Sequence, residues 1–213
     1  MNDFFRPSHV LRLAALGWLT AALGAGSAFA ADHNHVHPVD DAPASAPVAL
    51  PGDSIYQLNA KLTDQEGKNF TLTQRRGHPV LVGMFYTSCE FVCPMLVEAL
   101  RNTEAQLSPE ERAHVSVLLI TIDPARDTVA VLKRTAQQRE LDPAHWTLAR
   151  SDAATTRKIA AVLGLQYRAL PNGDFNHSTN LVLLDANGRV AGRTSELSKV
   201  DPAFLKLIQI AAK

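Results

Sequence analysis

The chain has 213 residues, with 21 basic and 21 acidic side chains, and is neutral overall. That balance argues against nucleic acid or an anionic membrane surface as a partner held by charge. No run of about 18 apolar residues occurs after the first thirty residues, so the bulk of the chain reads as a domain in water.

Residues 1–30 read as a targeting segment. Arg6 and Arg12 supply a positive start, Leu13 to Ala22 are apolar, and Ala28-Phe29-Ala30 has the small-x-small form of a cleavage site. Leu13 to Ala31 is also about long enough to span a bilayer, so an uncleaved N-terminal anchor competes with cleavage; Gly24, Gly26 and Ser27 weaken that alternative. No cysteine lies near the cleavage point, which excludes a lipid-modified terminus, and the two arginines are not adjacent, which argues against the twin-arginine route. The expectation is an exported protein, periplasmic or anchored so as to face the periplasm.

Residues 31–50, "ADHNHVHPVDDAPASAPVAL", form a tether rich in Pro, Ala, Asp and His with no periodicity. His33, His35 and His37 alternate within it. If cleavage follows Ala30, the new amine, two backbone nitrogens and the imidazole of His33 form a square-planar donor set for Cu(II). A solvated tail is the plainer reading.

Residues 51–213 suit one domain with one core. "YQLNAKLTD", Gln65-Glu66-Gly67 and "NFTL" read as an N-terminal hairpin. "PVLVGMFY" (79–86) and "VSVLLITI" (115–122) are continuous apolar runs, as expected of strands buried on both faces. Between them, Pro94 fits the first turn of a helix whose Leu96, Leu100 and Leu107 keep one face apolar. A helix from Thr128 to Leu141, a short strand at 145–149 and a helix from Ala153 to Leu163 closed by Gly164 follow. "NLVLLD" (180–185), Asn187-Gly188 and "RVAGRT" read as a hairpin, and Asp201-Pro202 opens a last helix. Alternating strands and helices predict an α/β domain with a sheet covered on both faces, mostly parallel and joined by antiparallel hairpin strands.

The only two cysteines, Cys89 and Cys93, lie in "FYTSCEFVCPML", where a buried strand ends and a helix begins. Positions four apart share a helix face, and the unpaired N–H groups of a helix N-terminus lower a thiol's pKa. A structural disulfide would close too short a loop to add much stability. A catalytic dithiol on such an architecture usually has two intervening residues and a cis-proline before the facing strand. Here there are three, and "DFNHST" precedes that strand, with Pro171 six residues before His177. Loops at one edge of the sheet converge, so His177 can approach the two sulfurs. Two thiolates and one imidazole favour copper, above all Cu(I), whereas structural zinc would want a fourth protein ligand.

Three segments then carry a resemblance to the Sco (Sco1/SenC) family: "FYTSCEFVCP", "ITIDPARDT" (120–128) and "NHSTNLVLLDANGRV" (176–190). The resemblance implies a thioredoxin-like fold, a central mixed sheet flanked by helices, and copper, as Cu(I) or Cu(II), on Cys89, Cys93 and His177. It implies a metallochaperone for the dinuclear copper centre of cytochrome c oxidase. The implied partner is the oxidase's copper-bearing subunit or another copper chaperone. The alternative is a thiol-disulfide reductase acting on the recipient's cysteines through the redox pair Cys89 and Cys93. Asp123 carries over as a residue behind the ligands. Where the family often has Pro-Asp-x between the cysteines, this chain has Glu90-Phe91-Val92, and Glu90 is expected to raise a thiol's pKa by repulsion. Met84 and Met95 read as core filler rather than thioether ligands. His78, His114 and His145 read as surface residues, and Arg126 with Asp127 as a loop ion pair.

Overall fold

The long apolar runs do what their composition requires: they become the inner strands of a sheet. The structure, a computed structural model, describes residues 49–213. The targeting segment and nearly all of the tether, with His33, His35 and His37, lie outside the described residues. No helix among those described is long and apolar enough to cross a membrane.

The hairpin strands β1 (Lys61–Asp64) and β2 (Asn69–Thr71) come first, followed by β3 (Val80–Phe85) and α1 (Val92–Glu104). Next come α2 (Pro109–His114), β4 (Ser116–Thr121), α3 (Val129–Gln138), β5 (Trp146–Arg150) and α4 (Ala153–Val162). The chain closes with β6 (Tyr167–Ala169), β7 (Phe175–His177), β8 (Leu181–Leu184), β9 (Val190–Thr194) and α5 (Pro202–Ala211). Seven strands form one mixed sheet in the order β2-β1-β5-β4-β3-β8-β9, while β6 and β7 pair only with each other. Only β3, β4 and β5 run parallel to one another; the other ladders are antiparallel. The sheet is thus less parallel than strand–helix alternation predicts, because hairpins supply both edges.

Every residue of β3 is buried, and its register against β4 runs from Val80 opposite Ser116 to Phe85 opposite Thr121. Six consecutive ladder partners fix the C-terminal end of β3, where the cysteine loop starts, relative to β4. At the other end of the sheet the β8–β9 turn requires Gly188. Its φ is +77°, and a Cβ there would lie 2.6 Å from the Tyr56 ring.

Two elements escape a periodicity reading. Helix α2 is one and a half turns long, but its start is written in Ser108-Pro109-Glu110-Glu111: Ser108 and Glu111 make a reciprocal capping box, with Pro109 in the first position. The β6–β7 hairpin has strands of three residues each, joined through Pro171-Asn172-Gly173, with Gly173 at φ +86°. His177 therefore ends a small separate hairpin, four residues before the core strand β8.

Candidate metal centre

Helix α1 starts without help from a conventional cap. Phe91 occupies the N-cap position and makes no side-chain hydrogen bond, so the first backbone N–H groups need another acceptor. Cys89 provides it: the Cys93 N–H donates to Cys89 Sγ at 3.3 Å. Burial raises the Cys89 thiol, but hydrogen bonds from the Cys93 thiol and from the backbone N–H groups of Cys93, Val92 and Phe91 outweigh it, so its pKa lies below the ordinary thiol value. The repulsion expected from Glu90 is overturned by these donors; Glu90 itself points to solvent. Cys93 behaves oppositely. It is 3% exposed, and burial pushes its thiol up to about 12. Both cysteines are free thiols.

The loop leading to Cys89 is anchored by Asp127, which is 1% exposed. Its carboxylate accepts from the Thr87 N–H at 3.1 Å and from the hydroxyls of Thr87 and Thr121. The expected ion pair between Arg126 and Asp127 is not formed. Arg126 pairs with Asp123, donates to the Gly173 carbonyl, and lies 5.9 Å over the Phe175 ring. Asp123 thus acts through Arg126 on the hairpin that carries His177.

Aromatic contacts complete that hold. Phe175 meets Tyr86 edge-on at 5.2 Å, and the His177 ring lies 5.7 Å from Tyr86 at 80°. His177 Nδ1 is 3.0 Å from the Ser178 carbonyl. A carbonyl only accepts, so Nδ1 carries the proton in the neutral ring and Nε2 keeps its lone pair.

The result is a cluster: donor atoms of Cys89, Cys93 and His177 all lie within 4.8 Å of one another. Three donors around one ion at about 2.3 Å lie about 4.0 Å apart, so holding an ion draws each donor in by up to about half an ångström. Met84 is 2% exposed and belongs to the core, whereas Met95, expected there, is 46% exposed beside Phe91 at 79%. Helix α1 turns Met95 outward while Leu96, Val97 and Leu100 face the sheet. His78 and His114 are exposed and His145 is half-buried, away from the cluster. The sequence reading missed Asp127 as an anchor, because its partners Thr87 and Thr121 meet it only through the β3–β4 register.

Fold and site together define a thioredoxin-like domain with two thiols and an imidazole converging at the end of its central strand. The SCO1/SenC family model matches residues 52–212, and the chain belongs to that family. The SCO2-like protein of Rickettsia felis is 28% identical over 152 residues, covering 64% of this chain and 70% of that one. The solved structure of Bradyrhizobium japonicum ScoI with copper bound is 26% identical, covers 71% of this chain and 96% of that one, and superposes with a TM-score of 0.58. BsSco, described as a Sco-family cytochrome c oxidase assembly protein with a disulfide switch, shares the fold at 19% identity and a TM-score of 0.63, covering 72% of this chain and 91% of that one.

Proposed function

We propose that this chain is an exported copper carrier that holds Cu(I) on Cys89, Cys93 and His177 and delivers it during assembly of the dinuclear copper centre of cytochrome c oxidase. One observation carries the reading: three soft or borderline donors, and no carboxylate, gather within 4.8 Å among the described residues. Such a set suits a cuprous ion, which accepts few ligands and prefers sulfur. Family membership and the copper-bound ScoI structure of Bradyrhizobium japonicum support the same cargo.

The residues have distinct parts in loading and release. Cys89, already inclined to ionise, takes the ion first. Cys93 must then give up its proton, so loading releases protons and is opposed by acid. His177, its tautomer set by Ser178, supplies the third donor. Two-electron oxidation of the pair by a disulfide of the compartment, with loss of two protons from the thiols, would leave a Cys89–Cys93 disulfide and remove both sulfur donors. Copper occupancy is thereby tied to redox state.

The alternative is a thiol-disulfide reductase, and the opposed pKa shifts of the two thiols are what favour it. Against it stands His177, which faces the sulfurs from the segment before β8. Competitive Cu(I) titration of the reduced protein and of His177→Ala separates the two. A carrier is expected to bind one Cu(I) and to lose most of that affinity in the variant, with dithiol exchange kept. Loss of exchange with copper affinity intact would reverse the roles. Export is tested by the mass of the protein recovered from the periplasm, with cleavage after Ala30 expected.

A further inference from the structure

On the imidazole side of the cluster the surface is not flat. A groove of about 840 Å³ runs between helix α4 and the β6–β7 hairpin, and His177 is among its lining residues. The helix contributes the small side chains of Ala160 and Ala161, with Gly164 just past its end. The charge is one-sided. Arg157 and Arg168 line the groove, and no carboxylate does among the described residues. Neither arginine forms an ion pair among the described residues. Arg157 is steadied instead by the Tyr167 ring, 5.8 Å away. A third guanidinium, Arg193, bonds to the Leu163 carbonyl and would lie 3.4 Å from a Cβ at Gly164.

In a chain with equal numbers of acidic and basic side chains, this is a local concentration of positive charge. A cleft walled by protein focuses such a field toward whatever enters it. The side-chain amides of Gln166 and Asn176 also line it and bond to no other described residue, so they are available to an extended backbone.

We propose that this groove is the docking site for the protein that exchanges the ion with this chain, occupied by an extended acidic segment whose metal-binding end meets His177. The proposal rests on the copper reading for the identity of the cargo, and on charge and shape for the occupant. Approach from this side brings the partner's donor to the imidazole, which is carried outside the main sheet, while the sulfurs keep hold.

The test uses copper-free, reduced full-length protein and a short fluorescein-labelled peptide of alternating Asp and Ala, read by anisotropy. Binding is expected for this peptide, not for its Lys–Ala counterpart, and should fall as salt is raised to about 0.5 M. Arg157→Glu with Arg168→Glu should weaken it by roughly tenfold or more, while Arg134→Glu on α3 leaves it unchanged. Equal loss in the Arg134 variant, or none in the groove variant, would overturn the proposal. So would capture of the protein by phosphatidylglycerol vesicles without peptide binding, which would assign the groove to a lipid surface. Cu(I) titration of the same proteins keeps the two readings apart. Peptide binding through the arginines without Cu(I) binding would sink the copper reading and leave the groove, and Cu(I) binding without peptide binding would do the reverse.

Discussion

The two sides of the candidate metal site are held in opposite ways. Cys93 is 3% exposed and belongs to α1, which packs on strands whose residues are buried on both faces. His177 ends a hairpin that joins no other strand, and whose β6 residues Arg168 and Ala169 face solvent. Its ties are peripheral: Arg126 to the Gly173 carbonyl, Phe175 against Tyr86, and the paired bonds between Gln166 and Ser178. Elements with few buried contacts open at lower free energy than core strands do. The thiols therefore rest on the core, whereas the imidazole rests on the element expected to open first. That division suits a carrier, which must hold its cargo and also surrender it.

The most disruptive way to break the comparison is to remove a core-held donor. Cys93→Ser should lower Cu(I) affinity by about three orders of magnitude or more, since a hydroxyl is a poor ligand for this ion; competitive titration measures it. Acid should act on the same side. Burial pushes the Cys93 thiol up to about 12, whereas hydrogen-bond donors hold Cys89 below the ordinary thiol value, so Cys89 ionises first as pH rises. Affinity should rise with pH by roughly a hundredfold per unit while both thiols are protonated, and by roughly tenfold per unit once Cys89 has ionised. A slope that stays flat would mean the thiols are not the ligands.

Asp127→Ala should disturb the cysteine side through the fold. It strands the Thr87 N–H and the hydroxyls of Thr87 and Thr121, a cost of about 2–3 kcal/mol in urea unfolding. Arg126→Ala should do the opposite on the imidazole side. Arg126 is half exposed but its partner Asp123 is buried, so the loss should cost roughly 1–2 kcal/mol, and freeing the hairpin should weaken Cu(I) binding by up to about tenfold. If Arg126→Ala unfolds the domain as readily as Asp127→Ala does, the two sides are not held differently.

The same contrast explains what could be read from the amino-acid sequence. The buried strands were legible because a run such as Val80 to Phe85 has one favourable fate, and α1 because Leu96 and Leu100 recur at helical spacing. The cysteine pair and His177 were legible as chemistry, and the meeting of loops at one sheet edge anticipated their convergence. The hairpin that delivers His177 was not, since strands of three residues carry no period. In the sequence the apparent partner of Asp127 is its neighbour Arg126, because Thr87 and Thr121 come beside it only when β3 and β4 align. Residue type points Met95 to the core, but its helical position directs it outward.

The direct test is X-ray absorption at the copper edge on the reduced, Cu(I)-loaded protein and on His177→Ala. The expected result is a first shell of two sulfurs and one nitrogen, with the nitrogen lost in the variant and both sulfurs kept. A wild-type shell of sulfur alone, unchanged by the substitution, would contradict a shared site and leave His177 a bystander to a simple dithiol.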